Sequence, residues 1–290
     1  MAGFNLSNLR KLMGQPRRLL LPAVVCVVAA VAILNDTATS QRRFRGLESD
    51  PTPRRMFSPQ SGYPETGGEF TFARAIYDSP YSPYNRWLGG SWTVDFPEAD
   101  EHFIVGVREW AGTNLNLSSR PEQVKLLDER LFDYPFLYMV EPGFLELSPE
   151  EALRLREYLT RGGFLFLDDF HGEYEWENVQ QQMGKVLPDY KIVDLPLTHP
   201  IFHSYLDIEE VVQVPGIGSY WYRRVTHEKG GVTPHYMGIE DKNGRLVVFI
   251  TRNCDFGDAW EHIDDSRYPV KYGLAAYKVG LNVVIYAMTH

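Results

Sequence analysis

The stretch FLYMVEPGFLELSPEEALRLREYLTRGGFLFLDDFHG, Phe136 to Gly172, constrains the fold more than any other part of this chain. The unbroken apolar runs Phe136–Val140 and Phe164–Leu167 suit strands covered on both faces, as in a parallel sheet. Between them, Ser148 and Glu151 have the spacing of a capping box, with Pro149 at the first helical position. Ala152, Leu155 and Leu159 share one helical face, and Gly162 supplies the stop. Strand, helix and strand in this order predict a right-handed βαβ unit. Asp168, Asp169 and His171 follow its second strand, at the edge where open α/β sheets bind ligands.

The flanking sequence continues the alternation. Glu69–Tyr77 alternates like a strand, and Asp95–Ala111 keeps a helical period through Ala99, Phe103, Val107 and Trp110. A short strand is expected at Asn114–Ser118, a helix at Glu175–Leu187, a strand at Tyr190–Asp194 and a helical turn at Pro200–Tyr205. His235–Ile239 and Arg245–Arg252 flank Asn243-Gly244, a hairpin signal. Val270–Met288 is apolar enough to raise the question of a membrane span, but Lys271, Lys278 and Asn282 interrupt it and make it a core-packing helix. The expected fold class is α/β: a three-layer doubly wound domain on a mainly parallel sheet, with a C-terminal β-hairpin and helix.

Not all of the 290 residues belong to that domain. Leu19 to Leu34 is apolar throughout and is preceded by Arg10, Lys11, Arg17 and Arg18. The run is shorter than the ~20 residues of a comfortable transmembrane helix. A basic stretch before an apolar one is also the signal-peptide pattern, with Ala38-Thr39-Ser40 as a small-residue exit. Arg42, Arg43 and Arg45 on the far side leave the positive-inside rule without a clean orientation. Residues 1–40 are therefore expected to be a signal peptide or a membrane anchor, residues 41–68 a flexible linker rich in Pro, Ser, Thr and Gly, and residues 69–290 a single α/β domain. The expected location is therefore a cell envelope or periplasm, membrane-anchored or exported.

Charge narrows the partners. Residues 1–55 carry nine basic and three acidic side chains, net +6, whereas the other 235 carry 20 and 35, net −15. An acidic body argues against nucleic acid, and contact with the membrane is expected through the N-terminal segment only. A small ligand or an envelope protein is the expected partner. Cys26 lies inside the apolar run, which leaves Cys254 alone in the body and allows no disulfide there.

The strings FDYPFLYMVEPGFLELSPEEALRLREYLTRGGFLFLDDFHG, LPLTHPIFHSYLDI, NCDFGDAWEHIDDSRYP and LNVVIYAMTH resemble the domain of unknown function family 4159, over roughly Phe70 to His290. The resemblance implies a fold similar to class I glutamine amidotransferases and to the trehalose-utilisation group, and His199-Pro200-Ile201 is similar to a step in the latter. It implies no activity. Amidotransferases carry a nucleophilic cysteine on the sharp turn after a strand. The comparable turn here, Asp168-Asp169-Phe170-His171, has neither Cys nor Ser, so amidotransferase activity is not expected.

Two clusters are candidates for chemistry. Asp168, Asp169 and His171 could bind a metal or serve as acid and base; equally, one Asp caps the next helix, the other is solvated and His171 is a satisfied hydrogen-bond donor. Asp255, Asp258, Glu261, His262, Asp264 and Asp265 follow the strand Leu246–Thr251, with Asp258, Glu261 and His262 on one helical face; equally, they form a solvated loop. If the sheet is parallel there, both clusters open on one hollow. Tyr77, Tyr81, Tyr84, Trp87 and Trp92, with Tyr220, Trp221, Tyr222, Arg223 and Arg224, supply rings that suit a sugar, an interface or a core rim. His199 and His203 are four apart, but Pro200 makes His199 a cap residue. Walker, G-x-G-x-x-G, G-x-S-x-G, H-E-x-x-H and EF-hand patterns are absent, so the sequence predicts neither a cofactor nor metal ligands.

The leading expectation is a non-catalytic module that binds a ligand or partner through Trp92, Asp168, Asp169, His171, Asp255, Asp258 and Glu261. The alternatives are a hydrolase of a carbohydrate-like substrate, with catalytic groups drawn from Asp168, Asp169, His171 and Asp258, and a structural subunit of an envelope complex.

Overall fold

Phe136–Val140 and Phe164–Phe170 pair in parallel, Phe136 opposite Phe164 and Val140 opposite Asp168, with the helix Pro149–Thr160 crossing between them. These are β3, β4 and α2 of a computed structural model that describes residues 70–86, 89–111, 116–118 and 120–290. The expected leader and linker and Trp87 lie outside the described residues. The capping box forms: Ser148 Oγ accepts from Glu151 N at 3.2 Å, and Glu151 Oε2 accepts from Ser148 N at 2.9 Å.

The other elements are β1 (Ala73–Ile76), α1 (Glu98–Ala111), β2 (Glu122–Lys125), α3 (Gly172–Val186), β5 (Val193–Asp194), β6 (His235–Glu240), β7 (Leu246–Arg252), α4 (Phe256–Glu261) and α5 (Val270–Thr289). The seven strands lie in the order β2-β1-β3-β4-β7-β6-β5. β2, β1, β3, β4 and β7 run parallel, and the β6–β7 hairpin, with Asn243-Gly244 in its turn, brings in the antiparallel pairings. The carboxyl ends of β1, β3, β4 and β7 therefore share one edge.

Alternate residues of the central strands enter separate cores. Phe136, Tyr138, Phe164 and Phe166 pack with α1, α4 and α5 around Trp110, Trp260 and Tyr277. Leu137, Met139, Leu165 and Leu167 pack with α2 and α3 around Leu155, Val179 and Met183. Each fully buried Leu or Phe contributes roughly 1.5–3 kcal/mol, so the sheet is a firm frame for the loops at its edge. α5 packs into the first core, and no helix among the described residues is long and apolar enough to cross a membrane.

Several boundaries differ from expectation. β4 runs to Phe170 rather than ending at Leu167, because its register with β7 shifts between Leu167 and Phe170. One extra residue on β4 turns Phe170 to the face of Leu165 and Leu167, so Asp168 and Asp169 lie inside a bulged strand and not in a turn after it. α1 starts at Glu98, since Asp95 has φ 59° and cannot begin a helix. α3 starts three residues early, at Gly172, and Tyr190–Asp194 keeps only Val193–Asp194 as strand. Leu117 in the expected short strand makes an isolated parallel bridge to Phe70.

Candidate functional site

Arg74 starts the construction. It is fully buried on β1, donating through Nε to Asp100 at 2.8 and 3.1 Å and through Nη1 to the carbonyls of Trp92 and Val94 at 3.1 and 2.8 Å. Its guanidinium also stands 5.1 Å from the centre of the Tyr138 ring. These contacts fix the loop that presents Asp95. At the end of β3, Tyr77 Oη donates to the carbonyls of Val140 and Glu141 at 2.5 and 2.9 Å, holding Glu141 where its own Oε1 accepts from Tyr84 Oη at 2.9 Å. The bulge in β4 presents Asp169, whose Oδ1 lies 3.0 Å from His171 Nε2.

After β7, Asp255 caps α4 by accepting from Asp258 N at 2.8 Å. Asp258 accepts from Ile217 N at 2.6 Å and lies 3.3 Å from His262 Nε2. The result is a cavity of about 420 Å³ whose wall carries six carboxylates: Asp95, Glu141, Asp169, Glu228, Asp255 and Asp258. Tyr84, Tyr222 and Arg223 also border it. Lys229 stands close by, 2.7 Å from Glu175 and 3.6 Å from Glu141.

One oxygen each from Asp95, Asp169 and Asp255 lie within 4.8 Å of one another. Burial, reinforced by neighbouring carboxylates, holds all three well above the usual carboxylate range. Glu141 is raised for the same reasons, against the pull of Lys229. The backbone is strained here as well: Asp95, Glu141 and Asp169 have φ of 59°, 49° and 58°, in the left-handed region that non-glycine residues enter at a cost of roughly 1 kcal/mol or more. The approach is close enough to exclude side chains. A Cβ on Gly257 would lie 2.1 Å from Asp95 Oδ2, and one on Gly216 would lie 2.6 Å from both Asp255 Oδ2 and Glu228 Oε1.

The structure sorts the residues singled out from sequence. Asp169, Asp255 and Asp258 meet on one wall, so the bulged end of β4 and the segment after β7 open on the same hollow. Asp168 is not on that wall. Fully buried, it accepts from Phe256 N and Gly257 N at 3.0 Å each, from Tyr138 Oη at 2.8 Å and from Thr251 Oγ1. It thereby ties β3, β4 and β7 to the start of α4. Burial pushes its carboxyl up to about 6, and these donors oppose the rise.

His171 lies behind Asp169 and starts α3, where its N–H donates to Glu175 Oε2 at 2.6 Å. Burial lowers its imidazole to about 4. Glu261 is not on the wall; it lies beside Asp258 and His262, one ligand-type atom of each within 4.8 Å of the others. Trp92 gives its carbonyl to Arg74 while its ring borders a separate groove. Of the other aromatics, Tyr84 and Tyr222 border the cavity, Tyr77 is buried beneath it and Tyr81 is exposed. His199 Nδ1 accepts from Ile201 N as a cap, and His203 turns to Asp207. Cys254 is buried, and burial pushes its thiol up, the wrong direction for a nucleophile.

Sequence reasoning missed Asp95, Glu141 and Glu228. Glu141 offered one signal, an acid placed directly after an all-apolar strand and before Pro142. No curated protein matches the chain. The family model described as Domain of unknown function (DUF4159) matches residues 71–288, and the chain belongs to that family.

Proposed function

We propose that the domain is a binding module for a small hydroxyl-rich or cationic ligand, held behind an N-terminal signal peptide or anchor and a flexible linker in a bacterial cell envelope. One observation carries this reading: six carboxylates from five separate chain segments converge on a single cavity large enough for a small molecule. A surface acidic loop would point its charges apart into water, whereas these are gathered and partly buried, and burial raises Asp95, Glu141, Asp169 and Asp255. The order β2-β1-β3-β4, with its reversal between β1 and β3, supports a doubly wound, amidotransferase-like scaffold with its ligand at the reversal. Thiol chemistry has no support, since the end of β4 lacks Cys and Cys254 is buried.

A second reading, hydrolysis of a carbohydrate-like substrate, is favoured by raised carboxyl groups beside Asp258 with Tyr84 and Tyr222 at the rim. Thermal-shift and calorimetric screening of the full-length chain in detergent, against sugars, polyols and amines, tests the primary reading. A ligand should raise the melting midpoint of the wild type and have at least ten-fold weaker affinity for Asp169→Asn. A screen in which no class of compound acts through Asp169 would overturn the module. Release of an aryl leaving group from a glycoside, abolished in Asp169→Asn, would select the hydrolase instead.

A further inference from the structure

Resting on that reading of the cavity, we infer that Asp95, Asp169 and Asp255 hold one hard divalent cation, with Ca2+ the best fit. Their oxygens come from three separate places: the loop before α1, the bulge of β4 and the cap of α4. The donors are carboxylate oxygens alone, which suits Ca2+, Mg2+ or Mn2+ and not a soft metal. Tolerance of irregular geometry selects among these. Ca2+ accepts an irregular set of oxygens, whereas Mg2+ demands near-ideal octahedral geometry and keeps several of its waters. One oxygen from each of the three lies within 4.8 Å of the other two, close enough for all to share one ion.

A second observation points to a ligand independently of the cluster. Asp95 Oδ2 is cut off from water and has no hydrogen-bond partner, although its residue lines the cavity. Such an atom is costly unless something absent from the protein pairs with it. Glu141, almost wholly buried on the same wall, has no hydrogen bond at Oε2 and faces Lys229 Nζ there at 3.6 Å.

Among the described residues near the trio, Arg74 is engaged elsewhere, and Lys229, though it also draws on Asp169, is held by other carboxylates. Arg74 is committed to Asp100 and to the carbonyls of Trp92 and Val94. Lys229 pairs with Glu175 and more distantly with Glu141, and Arg223 is exposed at the rim. Gly257 and Gly216 keep Cβ atoms away from Asp95 and Asp255, so these oxygens lie against bare backbone. Asp258 and Glu228 remain on the wall to meet a ligand that shares the cation.

The test uses the full-length chain in detergent, stripped with a chelator, with Ca2+, Mg2+ or Mn2+ alone as the probe. Calorimetry, and Mn2+ electron paramagnetic resonance, should give one saturable cation per chain, with Ca2+ the tightest. Asp95→Asn, Asp169→Asn and Asp255→Asn should each weaken it at least ten-fold, while Glu177→Gln on the exposed face of α3 leaves it unchanged. Without cation at pH 8, these Asn variants should melt no lower than the wild type, because each removes one repelling charge. Should a variant fail to fold, the wild type still decides: Ca2+ affinity must fall as the pH is lowered and protons compete. No stoichiometric binding to the wild type, or binding indifferent to all three substitutions, overturns the inference. If an organic ligand still binds through Asp169 in that case, the cavity reading stands without the metal; if none binds, both fail.

Discussion

Asp168 and Asp169 are consecutive on β4, yet their carboxylates have opposite surroundings. Asp168 takes hydrogen bonds from Phe256 N, Gly257 N, Tyr138 and Thr251 behind the wall, and Asp169 faces the cavity with His171 at its back. The extra residue of the bulge separates them, since it frees Asp169 from the alternation that Asp168 still obeys. Conservative substitution should therefore separate scaffold from site. Asp168→Asn puts an amide against converging donors and should cost about 2–4 kcal/mol in urea unfolding. Asp169→Asn relieves repulsion in a crowded acidic wall and should cost less than about 0.5 kcal/mol or stabilise. Equal losses for the two would contradict this division.

The loop that presents Asp95 depends on Arg74. Burial raises the Asp100 carboxyl against the pull of Arg74, while the pull of Asp100 raises the Arg74 guanidinium against burial, so mutual attraction and hydrogen bonds offset the cost of burying the pair. Arg74→Met leaves Asp100 buried without its partner and should cost about 3–5 kcal/mol. Adding Asp100→Leu should recover most of that stability. It should not recover ligand binding, because the carbonyls of Trp92 and Val94 still lack their donor. A double-mutant cycle by denaturant unfolding, paired with the ligand screen, measures both effects.

The scaffold was legible where a residue pattern has one physical solution. Apolar runs on either side of a capped helix have to be parallel strands, and Asn243-Gly244 has to be a tight turn. The position of His199 as a cap followed from Pro200, and the structure shows it accepting from Ile201 N. The site was only half legible, because its residues are selected by single backbone torsions. Whether Asp168 or Asp169 meets the cavity depends on one inserted residue in β4. Whether Asp95 starts a helix or precedes it depends on one left-handed torsion, at φ 59°. Glu141 and Glu228 lie on loops from distant parts of the chain, and no local period could have joined them to Asp169.

Gly257 tests the close approach of Asp95 to α4. Alanine there improves intrinsic helix propensity by up to ~1 kcal/mol. The new Cβ would also sit 2.1 Å from Asp95 Oδ2, so that side chain has to leave its place. Gly257→Ala should therefore change the melting midpoint little while weakening cation or ligand affinity at least ten-fold. Unchanged affinity would show that Asp95 does not need this position.

Acid and alkaline losses of stability should arise from different groups. An unfolded histidine takes up its proton near 6.5, whereas buried His171 does so only near 4. Its contribution to stability is fully present above 6.5 and is lost as the pH falls from there through 4, amounting to at most about 3 kcal/mol. The carboxyls of Asp95, Asp169 and Asp255 have the opposite sign. Raised by burial, they stabilise the fold while protonated, and that contribution is lost as the pH rises through their elevated values. His171→Gln keeps a donor for Asp169 but cannot titrate. It should flatten the stability loss between pH 6.5 and 4 and leave the alkaline limb alone. Asp255→Asn, which still caps α4, should flatten the fall in stability that sets in above about pH 4 and runs up to the elevated value, opposite in sign to the effect of His171→Gln where the two windows overlap. Urea unfolding from pH 4 to 9 without divalent cations measures both limbs. Identical profiles for the two variants would refute the assignment of either limb.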